Sequence, residues 1–188
     1  MRTPAQWLAL ALFVVCACSS DDNYVVSGGS VIISPVRSSL SAVMSFKDQN
    51  NVPHQQWVIV MTDTDGVCTK LATNPNYFQT PIESFDAAII WVPPGKLGTW
   101  IPGQMDTSGS IAGHEILVGQ ALADGGSPQR TQLPRVDGFG TIALGQFDVG
   151  GEAAGTFDVG VVEGARAREY FGKFKTSYCK AMETAILP

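Results

Sequence analysis

Residues 139–178 read FGTIALGQFDVGGEAAGTFDVGVVEGARAREYFGKFKTSY, and this stretch decides the fold. Gly145-Gln146-Phe147-Asp148-Val149-Gly150 returns ten residues later as Gly155-Thr156-Phe157-Asp158-Val159-Gly160. A weaker copy stands at Gly172-Lys173-Phe174-Lys175. Side chains alternate across a strand, so Phe and Val two apart share one face and Asp or Lys takes the other. Gly150-Gly151-Glu152 and Glu163-Gly164-Ala165 supply the turns. The stretch therefore predicts an antiparallel meander of three strands, near 139–149, 153–162 and 167–178. The period is too short and the copies too few for a solenoid or propeller.

Working outward, strand signals continue. Trp57 to Met61 (WVIVM) is an unbroken apolar run, expected of a strand buried on both faces, and Thr62-Asp63-Thr64-Asp65-Gly66 ends it in a turn. Cys68 to Ala72 is read as one helical turn before the break at Asn74-Pro75-Asn76. Phe85 to Val92 puts Phe85, Ala87, Ile89 and Trp91 on one face, and Gly98 to Pro102 reads as a short edge strand. Strands are also expected at Val25-Val26, Val31 to Ile33, Leu40 to Phe46 and Glu115 to Leu122. Residues 103–113 and 124–135 read as loop, and Lys180 to Leu187 as a short terminal helix. Close-set strands without a long helix predict an all-β chain, an antiparallel β-sandwich or flattened barrel.

The N-terminal end carries a different signal. Met1 to Ser20 reads MRTPAQWLALALFVVCACSS, with Arg2 ahead of the nine-residue apolar run Trp7–Val15. Nine residues cover only about 14 Å as a helix, against a bilayer core of about 30 Å. The segment is therefore read as an export signal. Val15-Cys16-Ala17-Cys18 resembles the lipobox of bacterial lipoproteins, and the resemblance implies a signal peptide over 1–17 and an acylated Cys18. Residues 18–23 would be a short lipidated tether, and 24–188 a single β-sandwich domain.

The net charge is −5, and losing Arg2 with the signal makes it −6. Such a balance disfavours nucleic acid, which needs a basic stripe, and gives no electrostatic help on anionic lipid. Membrane attachment is then expected through the acyl chains of Cys18. Cysteine usage agrees with export. Once Cys16 and Cys18 are accounted for, only Cys68 and Cys179 remain, and in an oxidising compartment two such residues are expected to pair. Two buried free thiols are the alternative.

Taken together, the lipobox, the Val/Ile-rich start with Pro35, Cys68 after a strand and turn, Gly98-Thr99-Trp100 and the Gly-x-Phe hairpin before Cys179 resemble small bacterial outer-membrane lipoproteins. The resemblance implies fold and location and carries over no catalytic residues. Ser19 after Cys18, in place of an aspartate, favours the outer membrane within that resemblance.

Candidate chemistry is sparse. His114-Glu115 begins like a zinc-binding helix motif, but Val118 holds the second histidine's position, and His54 stands alone. No Gly-x-Ser-x-Gly elbow occurs, and Gly138-Phe139-Gly140 lacks the third glycine of a dinucleotide fingerprint. Asp63 and Asp65 form a candidate weak cation turn, but Lys70 to Asn74 offer no closing glutamate. Asp148 and Asp158, at equivalent places in the repeat, are a candidate carboxylate pair, although solubilising charge is the plainer reading. Among the aromatics, Trp91 is expected in the core. Trp100, bracketed by Gly98 and Pro102, is the candidate ligand contact.

No catalytic residue, metal or cofactor is assigned. The expected function is a non-enzymatic, lipid-anchored envelope protein, a scaffold or adhesion-type component of an outer-membrane assembly with envelope protein partners. A carbohydrate- or ligand-binding module is the alternative, and an envelope hydrolase the least favoured.

Overall fold

The computed structural model describes residues 23–27, 30–33, 35–47, 51–79, 85–120, 138–163 and 166–187. Its strands are β1 (Tyr24–Ser27), β2 (Ser30–Ile33), β3 (Ser38–Lys47), β4 (Pro53–Thr62) and β5 (Phe85–Val92). They continue as β6 (Gly98–Trp100), β7 (Gly113–Gln120), β8 (Phe139–Phe147), β9 (Glu152–Glu163) and β10 (Arg166–Tyr178). One α-helix, α1 (Val67–Thr73), follows β4. The meander forms as the glycine turns require, with β9 pairing β8 on one edge and β10 on the other.

The strand order is β6-β8-β9-β10-β3-β4-β5-β7, with β1 beside β10 and β2 beside β1. The sheet does not close into a barrel. It folds over instead, and the two halves meet where β10 runs beside β3 at Ser177↔Leu40 and Tyr178↔Ser41. That short contact is parallel, so the sheet is mixed rather than wholly antiparallel as expected. A parallel pair needs no hairpin between its strands, and β3 and β10 are far apart in the chain.

The inner faces of the halves share one core. Trp57, Ile59 and Met61 of β4 and Ala88, Ile90 and Val92 of β5 meet Ile142 and Leu144 of β8, Phe157 and Val159 of β9 and Phe174 of β10. Trp57 stacks on Phe147 with ring centres 4.4 Å apart and planes 3° from parallel, a geometry worth about 0.5–1.5 kcal/mol beyond its area.

A second core lies on the other side of β3-β4-β5. Leu40, Ala42, Val58, Val60, Ala87, Ile89 and Trp91 are covered by Val67 and Leu71 of α1, Phe78 and Met182. This outer layer explains the WVIVM run. Trp57, Ile59 and Met61 face the sandwich interior, and Val58 and Val60 face the helix. β4 is buried on both faces, so neither parity is free to be polar.

Candidate functional site

The two cysteines of the folded part are joined. Cys68, in α1, and Cys179, one residue past β10, form a disulfide with Cα atoms 5.7 Å apart across a sequence separation of 111. The bridge fastens the helical layer to the end of the meander. Beside it, Tyr178 donates its hydroxyl to Glu183 at 2.5 Å, and Lys180 donates to the same carboxylate at 2.7 Å. The Val43 backbone N–H reaches the Tyr178 hydroxyl at 3.4 Å. Burial first, and then the Glu183 bond, raise the Tyr178 pKa. The Lys180 bond, and then the Tyr178 bond, lower that of Glu183.

The sequence-derived candidates fare unevenly. Trp100, the candidate ligand contact, is 4% exposed and belongs to the inner core, so its ring offers no surface platform. The cause is register: Trp100 pairs with Ile142, an inward position of β8, so the indole is turned inside although β6 is an edge strand. Trp91 is in the core as expected, on the helical side.

Asp63 and Asp65 diverge. Asp63 accepts the Asp86 backbone N–H at 3.1 Å, whereas Asp65 pairs with Arg37 at 3.2 Å. Each carboxylate therefore serves its own protein donor. Asp148 and Asp158 are not equivalent either. Asp148 lies in the β8–β9 turn, accepting from Gln146, while Asp158 sits inside β9 opposite Thr141 and Phe171. β8 ends at Phe147, one residue before Asp148, whereas β9 runs on past Asp158 to Glu163.

His54 stacks on Phe46 with centres 5.4 Å apart and shares a 2.9 Å hydrogen bond with the Ser108 carbonyl. His114 is 1% exposed. Among the described residues no group of three or more His, Cys, Asp or Glu could hold a metal ion. No helix among them is long and apolar enough to cross a membrane. Cys18 lies outside the described residues.

Two features escaped the sequence reading. The first is Asn23, which looked like tether. Between β1 and β3 the edge of β10 has no strand beside it among the described residues, and Asn23 fills the fork. Its Oδ1 accepts the Lys175 backbone N–H at 2.5 Å and the Ser39 hydroxyl at 3.3 Å. The only hint is a short polar side chain next to a strand, the residue type that caps stray backbone donors.

The second is the segment joining β5 to β7, on which Leu97, Ile101 and Met105 are 49%, 55% and 58% exposed. Their hydrophobicity amid Pro93-Pro94-Gly95 and Pro102-Gly103 is legible, but their exposure is not. Its β6 part borders β8, and its later part lies against the start of β4: Gln56 donates to the Ile111 carbonyl, and Ser110 donates to the Gln55 carbonyl at 2.8 Å. Asn23, in contrast, sits by Ser39 at the start of β3, which pairs with the far end of β4.

Comparison with known protein families, curated proteins and solved structures returns no match.

Proposed function

We propose that this chain is a lipid-anchored envelope protein whose β-sandwich serves as a scaffold or adhesion-type component of an outer-membrane assembly. The Cys68–Cys179 bridge carries the reading. It uses both cysteines left after the proposed signal and lipidation site, as a chain maturing in an oxidising compartment would. The short stretch from Cys18 to Asn23 then holds the domain close to the bilayer. Leu97, Ile101 and Met105 supply exposed aliphatic surface for a partner.

Photocrosslinking residues placed at Ile101 and Met105 in intact cells test the assembly role. Discrete envelope adducts, lost in Leu97→Glu protein, are expected. Absence of any adduct from a membrane-attached, folded protein rejects it.

A further inference from the structure

We propose that the outer face of the β8-β9-β10-β1 sheet lies on the lipid surface, with Tyr24 and Phe171 seated in the headgroup region. The inference rests on the lipid-anchored reading above and gives it an orientation. Register defines the face. Phe139 pairs with Gly160, Phe171 with Asp158 and Val26, and Tyr24 with Lys173, all on the side away from the inner core. Tyr24, Phe139 and Phe171 are 39%, 40% and 42% exposed. They are the exposed aromatic side chains among the described residues, and all three share this face. Leu97, Ile101 and Met105, also exposed, lie on the β5–β7 segment, whose strand β6 borders β8.

The covalent chain says what covers the face. Asn23 is fastened to Lys175 and Ser39, so the tether leaves the domain at a defined point, one residue before Tyr24. Five residues from Cys18 span at most about 18 Å fully extended. An acylated Cys18 therefore keeps the bilayer surface within that distance of the fork. Tyr24 is the next residue, and Phe171 lies two positions along β10 from its partner Lys173.

The local charges do not select anionic lipid. Lys173 and Lys175 share the face with Glu152, Asp158 and Glu169, and Lys175 pairs with Glu152 at 3.7 Å. Two aromatic side chains would hold a free protein weakly. A short tether raises their effective concentration at the bilayer to the millimolar range, where weak contacts are enough to set an orientation. Tyrosine suits the place, with an apolar ring and a hydroxyl that stays wet.

Bromine-labelled phosphatidylcholine vesicles carrying the acylated protein test this, because bromines quench a nearby indole. Trp57, Trp91 and Trp100 are 9%, 9% and 4% exposed and give a common background. Phe171→Trp and, separately, Tyr24→Trp are expected to be quenched several-fold more than Ala72→Trp, an exposed position of α1 on the opposite side of the sandwich. Equal quenching at Phe171→Trp and Ala72→Trp, or none at Phe171→Trp and Tyr24→Trp, overturns the orientation, provided intact mass shows acyl chains on Cys18. A protein purified from cells without that mass overturns the anchored reading itself, and the orientation with it.

Discussion

Phe157 of β9 lies over Gly172 of β10: a Cβ on that glycine would come within 2.5 Å of the ring's Cζ. The relation is reciprocal one step along the ladder. Gly155 pairs with Phe174, whose Cζ would be 2.6 Å from a Cβ there. Two copies of Gly-x-Phe run antiparallel, so each glycine faces the other copy's ring. The repeat is thus a packing device in which a missing side chain makes room for a large one. Aromatic cover of a strand glycine in this manner also pins register.

Gly155→Ala and Gly172→Ala should each destabilise the protein by about 1–3 kcal/mol, the usual cost of overpacking. Neither methyl has an easy escape, because backbone oxygens of Ala143 and Tyr24 stand 2.2 Å and 2.4 Å from the two Cβ positions. Gly145→Ala is the control, with its nearest neighbour, the Ala154 oxygen, at 3.6 Å. Urea denaturation should separate the first two variants from the third.

Removing the bridge should cost more. A loop of this length is worth up to about 4–5 kcal/mol in the chain-entropy account. Cys68→Ser should lower the denaturation midpoint and leave Cys179 reactive to thiol reagents on unfolding. The loss should appear first as protease cutting near Lys70 and Lys180, in the two elements the bridge joins, with cutting inside β9 following only on global unfolding.

Much of this architecture was legible because local chemistry and tertiary structure agree. β8 and β9 part at the Gly150-Gly151 turn, and the WVIVM run is apolar throughout because β4 is covered twice. What was missed depends on pairing. Trp100 is bracketed by glycine and proline, but its pairing with Ile142 turns it inward. Asp148 and Asp158 match in sequence, yet β8 ends before Asp148 while β9 runs on past Asp158. The parallel β3/β10 contact depends on how the sheet folds over, which no local pattern records. For the candidate site the cysteine pair was legible by elimination. The Asn23 fork was not, because the gap it fills exists only once β1 and β3 share one edge of β10.

That fork yields a prediction of its own. Asn23→Ala removes the acceptor for the Lys175 amide, which should then exchange its hydrogen for deuterium markedly faster. The stability loss should be about 1–3 kcal/mol, two hydrogen bonds at a partly wet position. Asn23→Asp keeps the acceptor and should preserve the slow exchange. Unchanged protection at Lys175 in the alanine variant would show that the fork closes without Asn23.

The last prediction concerns pH and the tail. The Ile186 backbone N–H reaches the Pro75 carbonyl at 3.2 Å, so this amide reports whether the C-terminal segment is seated beside the helical layer. Glu183 holds that segment through Lys180 and Tyr178, and those bonds lower its pKa. A lowered folded-state pKa gives stability that is present above the ordinary carboxylate range and lost as pH falls through the folded value. Tyr178 works at the other end, since burial and its bond to Glu183 raise its pKa. Its contribution is complete below the ordinary phenol value and is lost as pH rises through the folded one. Protection of the Ile186 amide should therefore be flat near neutrality, fall on the acid side through Glu183 and fall on the alkaline side through Tyr178. Glu183→Gln should remove the acid limb, and Tyr178→Phe should shrink the alkaline one. Acid lability that persists unchanged in Glu183→Gln would assign the limb to another carboxylate.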